Sequence, residues 1–168
     1  MMMLDKKILC AATPDEKKLA GLIKSDVLHV LVLGQPTSVF LYDSLLTAAQ
    51  LYQVRHGVVE YHVLSSDGIL GLESACKYVE VLDASDMRSI LTCFLGCRFV
   101  VLMADDVEFF SLARYFCLPV VLVKKGRNSP QFCNGVLEIG DSAAMLAGTF
   151  FVIKTGKYEE QLLNNRRN

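Results

Sequence analysis

Several features that mark common protein classes are missing from this chain of 168 residues. Its six cysteines include no Cys-x-x-Cys pair, and most lie in apolar runs, where cysteine behaves as a small buried side chain. No apolar stretch approaches the ~18 residues that a membrane span needs, and the N-terminus lacks the apolar core of a signal peptide. These absences predict a reduced, cytoplasmic protein that does not enter a membrane.

An excess of charge of one sign is also missing. The net charge is −1, and lysine and arginine form no stripe along the chain. Basic residues cluster at 124–127 and 166–167, where we interpret them as solvated loop and tail charges. Nucleic acid is therefore not an expected partner.

The sequence offers little for metal binding or catalysis. Cys93 and Cys97 would share a helical face, but no third ligand is near them in sequence. The histidines, at 29, 56 and 62, lack the spacing of metal ligands. His29 and His62 lie in or beside apolar strands, and we interpret them as packed, hydrogen-bonded side chains. We predict no metal site.

The chain has ample material for a core, with 52% hydrophobic residues against 21% charged ones. Apolar, β-branched runs alternate with segments whose apolar residues recur at helical spacing, which is typical of βαβ units. The predicted strands are 7–12, 29–33, 58–64, 77–82, 99–104, 118–123 and an edge strand at 136–139. The predicted helices are 13–24, 39–53, 69–75, 87–94, 105–116 and one that begins at 141 or 142. Residues 124–134 are predicted as a loop, and 150–154 stay open between helix and strand.

This pattern predicts a three-layer α/β fold, flavodoxin-like or Rossmann-like, with a mostly parallel sheet of five to six strands and helices on both faces. The whole chain is expected to be one domain. Within it, 1–25 form an N-terminal strand and helix extension, 26–150 the α/β core and 151–168 a C-terminal tail.

Parallel sheets of this kind bind ligands at the carboxyl ends of their strands. The buried strand at 29–33 is followed by Gly34 and a polar corner that ends with Thr37 and Ser38 at a helix start. Backbone N–H groups and hydroxyls there can hold a phosphate without lysine. The corner lacks the lysine of a Walker motif and the three glycines of a dinucleotide fingerprint. The next strand ends in a second hydroxyl corner at 65–66. Alternatively, these residues only cap helices and form turns.

Four short motifs between residues 28 and 126 resemble those of the flavin-dependent cysteine decarboxylase-type flavoproteins, a family that includes phosphopantothenoylcysteine decarboxylase and one component of dipicolinate synthase. They are Val-Leu-Gly-Gln-Pro-Thr-Ser at 32–38, His-Val-Leu-Ser-Ser at 62–66, Ser-Leu-Ala-Arg at 111–114 and Pro-Val-Val at 119–121. The family's asparagine before the third motif and its catalytic histidine after the second have no counterpart here.

The resemblance implies a domain that binds FMN or a similar phosphate-bearing ligand, in a homo-oligomer that is a trimer or larger. No catalytic residue is assigned. The residues expected around the ligand are Gly34, Thr37, Ser38, Ser65, Ser66, Asp105 and Ser111. Two alternatives stay open: a non-catalytic assembly or regulatory subunit with the same fold, and a sugar- or nucleotide-binding regulatory domain that uses the same corners.

Overall fold

The computed structural model describes residues 5–34, 39–64, 79–103, 107–133 and 135–157, with side chains from residue 43 onward in the helix that begins at Val39. These residues form six helices and seven strands. The helices are α1 (Lys6–Ala11), α2 (Glu16–Lys24), α3 (Val39–Arg55), α4 (Met87–Gly96), α5 (Val107–Tyr115) and α6 (Ala143–Lys154). The strands are β1 (Leu28–Leu33), β2 (Val59–Leu64), β3 (Val79–Val81), β4 (Phe99–Leu102), β5 (Val120–Val123), β6 (Gln131–Cys133) and β7 (Val136–Ile139).

The strands form one sheet in the order β3-β2-β1-β4-β5-β7-β6. Neighbouring strands are parallel, except that β6 runs antiparallel to β7. The chain moves outward from β1 to β2 and β3, then crosses back to place β4 on the other side of β1. This order is that of the Rossmann-type doubly wound sheet, and it differs from the 2-1-3-4-5 order of flavodoxin. The strand order therefore reverses between β1 and β4.

Two apolar cores, one on each face of the sheet, give the fold its three layers. Side chains alternate along each strand, so β1 sends Val30 and Val32 to one face and Leu31 and Leu33 to the other. The first core packs α3 and α6 on the sheet, and the second packs α1, α4 and α5. All six residues of β1 are buried, as expected of a central parallel strand. Each apolar side chain buried there contributes about 1.5–3 kcal/mol.

The predicted three-layer α/β fold with a mostly parallel sheet is confirmed. The structure adds β6, which lies in the segment predicted as a loop and forms the antiparallel edge. Val136–Ile139 is consequently an interior strand rather than the predicted edge strand. A strand of three residues carries too little periodic signal to be separated from a loop. The helix predicted at 69–75 lies outside the described residues.

The N-terminal segment differs from the strand predicted at 7–12, and that prediction is wrong. Lys6–Ala11 is helical, and the Asp5 carboxylate caps it by accepting the N–H of Lys7 at 2.8 Å. Leu9 is fully buried in the second core. Only one side chain of this helix is buried, so its amphipathic pattern is too short to identify from the sequence.

The other element boundaries follow from tertiary contacts. Helix α2 begins at Glu16 rather than at the predicted 13–14, because Asp15 is its cap. The Asp15 carboxylate accepts the N–H of Lys18 at 3.2 Å, while the backbone N–H of Asp15 donates to the Thr92 hydroxyl on α4 at 2.9 Å. At the C-terminal side, α6 continues to Lys154, so 150–154 are helical. No helix in the described ranges is long and apolar enough to cross a bilayer.

A close approach of two backbone segments occurs at Gly140, just after β7. A Cβ atom at this position would lie 2.2 Å from the carbonyl oxygen of Arg127. Because that oxygen belongs to the backbone, it cannot move aside as a flexible side chain would. The loop after β5 can therefore lie against the end of β7 only with glycine at 140.

Gly140→Ala is expected to lower the free energy of unfolding by more than about 2 kcal/mol, because overpacking costs about 1–3 kcal/mol and here the neighbour is backbone. Gly148→Ala in α6 is the matched control, since a Cβ there meets nothing within 4 Å. That control should raise the free energy of unfolding by about 1 kcal/mol, because alanine favours a helix. Urea unfolding measures the free energy of unfolding of both variants. Equal changes in the two would contradict the close approach of Gly140 to the Arg127 carbonyl.

Candidate functional site

The carboxyl ends of β1 and β4 lie side by side at the point where the strand order reverses. Leu33 pairs with Leu102, and the N–H of Met103 donates to the Leu33 carbonyl at 3.0 Å. Gly34 follows with a φ of 93°, in the left-handed region that favours glycine. Gly34 thus lies at the place where doubly wound folds bind ligands.

Two of the predicted site residues fall within the described chain. Gly34 lies at this junction, and Ser111 is an exposed residue of α5. The remaining predicted residues lie outside the described ranges: Thr37, Ser38, Ser65, Ser66 and Asp105. Their grouping around one ligand stays a prediction.

The loop after β5 brings positive charge to the same carboxyl edge. Lys124, Lys125, Gly126 and Arg127 form a turn in which the N–H of Arg127 donates to the Lys124 carbonyl at 3.3 Å. Gly126 has a φ of 84°, which suits the third position of a type II turn. Lys125 is therefore at the second position of the turn, where it is exposed.

A carboxylate on β7 anchors this turn. The side chain of Glu138 is only 10% exposed, with Arg127 Nη2 at 2.7 Å and Lys124 Nζ at 3.4 Å. Arg127 and Lys124 share the largely buried carboxylate of Glu138, and the exposed Lys125 adds a third positive charge. The turn therefore has net positive charge. The edge of the sheet beside β4 is consequently attractive to an anion.

Arg127→Ala is expected to lower the free energy of unfolding by about 2 kcal/mol, because it leaves the largely buried Glu138 with the more exposed Lys124, at 3.4 Å, as its remaining cation. The loss should be smaller than for a fully buried pair, because the Arg127 side chain is 26% exposed. Lys125→Ala, two residues away on the exposed corner, should change the free energy of unfolding by less than about 0.5 kcal/mol. Adding Glu138→Gln to Arg127→Ala should recover part of the loss, since an unpaired amide is less costly than an unpaired carboxylate. Chemical denaturation compares the variants, and equal effects of Arg127→Ala and Lys125→Ala would rule out this role of the ion pair.

A second group of polar side chains lies on the face of the sheet that carries the second core. His29, Glu60, His62 and Glu80 occupy alternating strand positions that point to this face. The register places His29 beside Glu60 and His62 beside Glu80. His62 is 1% exposed and His29 7%, so both rings are buried.

The ring nitrogens of this group form a chain of hydrogen bonds. His62 Nδ1 lies 3.2 Å from Glu80 Oε1, and His62 Nε2 lies 2.9 Å from His29 Nδ1. Lys18, on α2, places its ammonium 2.6 Å from the same Glu80 oxygen. Sγ of Cys93, on α4, lies 3.8 Å from that oxygen.

The electrostatics of this group place a proton on His62. Burial by itself lowers the pKa of His62, but hydrogen bonds to Cys93 and Glu80 and their negative charges outweigh it and raise that pKa to about 9. Burial, assisted by the charge of His62, lowers the pKa of His29 to about 4. The hydrogen bond from His62 lowers the pKa of Glu80 to about 2, against the effect of burial and with help from Lys18. At neutral pH the His62 imidazolium therefore donates to both Glu80 and a neutral His29.

A pocket of about 390 Å³ borders this group at the amino ends of the strands. It lies between the end of α2, the start of β1 and the end of α4, and His29, Arg98 and Lys154 are among its lining residues. Nε2 of His29 is buried and has no hydrogen-bond partner among the described residues.

The sequence interpretation of His29 and His62 as packed, hydrogen-bonded side chains agrees with the structure, but the group as a whole was missed. Its members come from three strands and two helices, so no spacing along the chain reveals it. One signal was present: Glu60 and His62 are two apart in an otherwise apolar strand, which places both on one face.

Comparison with known proteins adds information on the fold alone. No family model and no curated protein matches the chain. Among solved structures, it is similar to UDP-GlcNAc 2-epimerase from Neisseria meningitidis bound to UDP-GlcNAc, with 11% identity and a TM-score of 0.61 over 93% of this chain and 44% of that one. It also matches E. coli heptosyltransferase WaaC with ADP-2-deoxy-2-fluoro heptose, at 16% identity and a TM-score of 0.46 over 83% of this chain and 47% of that one. WaaC with ADP gives 15% identity and a TM-score of 0.47, over 88% of this chain and 50% of that one. The chain thus spans about half the length of these proteins.

These findings correct the expected family. The resemblance to the flavin-dependent cysteine decarboxylase-type flavoproteins is wrong, because no family model matches the chain and the solved structure that is similar to it at a TM-score of 0.61 is an epimerase. The flavoprotein function is wrong with it, because it rested on that family; the epimerase with the similar fold was solved with UDP-GlcNAc. The four motifs are short and follow from strand, turn and helix chemistry that many α/β folds share. FMN as a ligand, the oligomeric state and the cytoplasmic location are not tested by any of these observations.

Proposed function

We propose that this chain binds a nucleoside diphosphate or a nucleotide sugar at the carboxyl edge of the sheet, between the corner after β1 and the loop after β5. The observation that carries the proposal is the strand order, which reverses between β1 and β4 beside Gly34. In open α/β sheets, ligands bind in the crevice at this reversal.

The charge at the same edge favours a ligand with more than one phosphate. Neighbouring strands are about 4.8 Å apart, so the corner after β1 and the turn after β5 are separated by about 10 Å across β4. A pyrophosphate is short enough to lie between them, with Gly34 at one end and lysine charge at the other. Lys124 is 45% exposed and Lys125 is exposed, so both are accessible to a ligand.

The structural comparison points to the same class of ligand. The epimerase was solved with UDP-GlcNAc, and its likeness to this chain covers 93% of the chain at a TM-score of 0.61. The identity of 11% limits that likeness to the fold, so the ligand is carried over here as part of the proposal. A shared doubly wound fold supports a shared binding region because the site depends on topology.

Isothermal titration of the purified chain with UDP, ADP, UDP-GlcNAc and uridine tests the proposal. We expect the three phosphate-bearing ligands to bind at least 10-fold more tightly than uridine, with affinity that falls as salt is raised. Equal affinity for UDP and uridine, or no binding of any of them, would refute it.

Lys125→Glu tests the position of the site. Reversing this charge should weaken UDP binding about 5- to 10-fold, because an anion then faces the phosphates at an exposed position. Lys157→Glu is the matched control, since this exposed residue is three positions after Lys154, whose ammonium donates to the Asp26 carbonyl near the start of β1, at the amino ends of the strands. Its affinity for UDP should equal that of the unmodified chain. If both variants bind alike, the ligand lies elsewhere.

A further inference from the structure

Three side chains of the types that bind metal ions converge on the face of β1 and β2. Nδ1 of His29 lies 2.9 Å from Nε2 of His62. The carboxylate oxygens of Glu60 lie 3.7 Å from the first of these atoms and 3.9 Å from the second. Around a zinc ion with bonds of about 2.0–2.2 Å, neighbouring ligand atoms are ~2.9–3.6 Å apart. The observed triangle is close to that size.

We propose that His29, His62 and Glu60 bind one divalent transition-metal ion of the zinc type, through Nδ1, Nε2 and a carboxylate oxygen. Two imidazoles and one carboxylate form a ligand set that such ions use, with the remaining positions open to water or another small ligand. The side chain of Glu60 is 30% exposed, so it can rotate to close the two longer distances. The pairing of His29 with Glu60 across β1 and β2 fixes the backbone beneath them.

The surroundings of His62 support this assignment. A metal-bound histidine usually donates its other ring N–H to a carboxylate, which fixes the ring and its tautomer. His62 Nδ1 is 3.2 Å from Glu80 Oε1, and Lys18 holds that carboxylate at 2.6 Å. His62 is therefore already oriented with Nε2 toward His29 and Glu60.

The adjoining group of His62, Glu80 and Cys93 also has ligand atoms within 4.8 Å of one another, but it is the weaker candidate. The ammonium of Lys18 already lies on Glu80, and a second cation at the same oxygen would be repelled by it. Glu80 and Lys18 are better described as the outer support of the first group.

An ion can reach the proposed site and be partly neutralised there. Glu60 provides an opening to solvent, and His29 lines the pocket at the amino ends of the strands. Once the proton on His62 has left, the Glu60 carboxylate offsets one of the two charges of the ion directly, while Glu80 is already paired with Lys18. The site lies away from the carboxyl edge, so this inference does not depend on the nucleotide proposal.

Titration of the EDTA-treated chain of 168 residues with Zn²⁺ and with Co²⁺ tests the proposal. We expect one equivalent of tight binding, with an affinity that falls at low pH because protons compete for the two imidazoles. The visible spectrum of the Co²⁺ form should lack a thiolate charge-transfer band, since no sulfur is in the ligand set. Absence of stoichiometric binding, or the appearance of a thiolate band, would overturn it.

Substitutions then distinguish the ligands from their surroundings. Glu60→Gln should weaken Zn²⁺ binding more than ~100-fold, and Glu80→Gln about 10- to 100-fold, as outer partners of metal ligands do. His56→Gln, which changes an exposed histidine, should leave the affinity unchanged. Cys93→Ser should weaken binding less than Glu80→Gln, because Cys93 only contacts the Glu80 carboxylate. Glu60→Gln alters a partly exposed residue, and circular dichroism verifies that the variant is folded. Unchanged affinity in Glu60→Gln, or loss of binding in Cys93→Ser, would overturn the assignment.

Discussion

The fold depends on β1, a strand that is hydrogen-bonded on both edges, buried along its whole length and adjacent to the reversal of strand order. Parallel pairing with β2 and β4 satisfies its backbone groups on both sides, and the two cores cover its faces. A strand in this position cannot slip by one residue, because a slip would exchange its side chains between the two cores. Both candidate sites are placed by this strand: Gly34 follows its carboxyl end, and His29 is near its start.

The alternation of side chains along β1 and β2 explains how a polar group enters an apolar layer. His29, Glu60, His62 and Glu80 all point to the second core because they share the strand phase of Leu31, Leu64 and Leu82. Their burial would be unfavourable one by one, since an isolated buried charge is strongly disfavoured. Together they form a connected chain that starts at Lys18 and ends at His29, so most of their polar atoms have partners. Substituting one of these side chains would leave its neighbours buried without a hydrogen-bond partner, so single substitutions in this part of the core should be destabilising.

Much of the architecture can be predicted from the sequence because each strand of the core is a continuous apolar run with a helical pattern after it. The runs at 29–33, 58–64, 99–104 and 118–123 all became strands of one sheet. What could not be predicted depends on pairing between segments distant in the chain. The choice between the Rossmann and flavodoxin orders, the interior position of Val136–Ile139 and the contact of His29 with His62 all follow from which strand lies beside which, and in what register. Local periodicity carries no information on which strands are neighbours or on their register.

The same limit explains why a loose motif match suggested the wrong family. The segment from Val32 to Ser38 has the residues of any strand that turns into a helix with a phosphate-binding corner, and that chemistry is common to many α/β proteins. The histidine group is a more specific feature. Its charged side chains must be neutralised by opposite charges nearby, whereas the apolar side chains of the core carry no charge. Two carboxylates lie beside two imidazoles, and in the absence of an ion the positive charge there comes from Lys18 and from the proton that raises the pKa of His62 to about 9. The ion pair of Lys18 with Glu80 and the hydrogen bonds of His62 to Glu80 and His29 thus hold this polar group together within the second core, on the face of the sheet opposite α3 and α6.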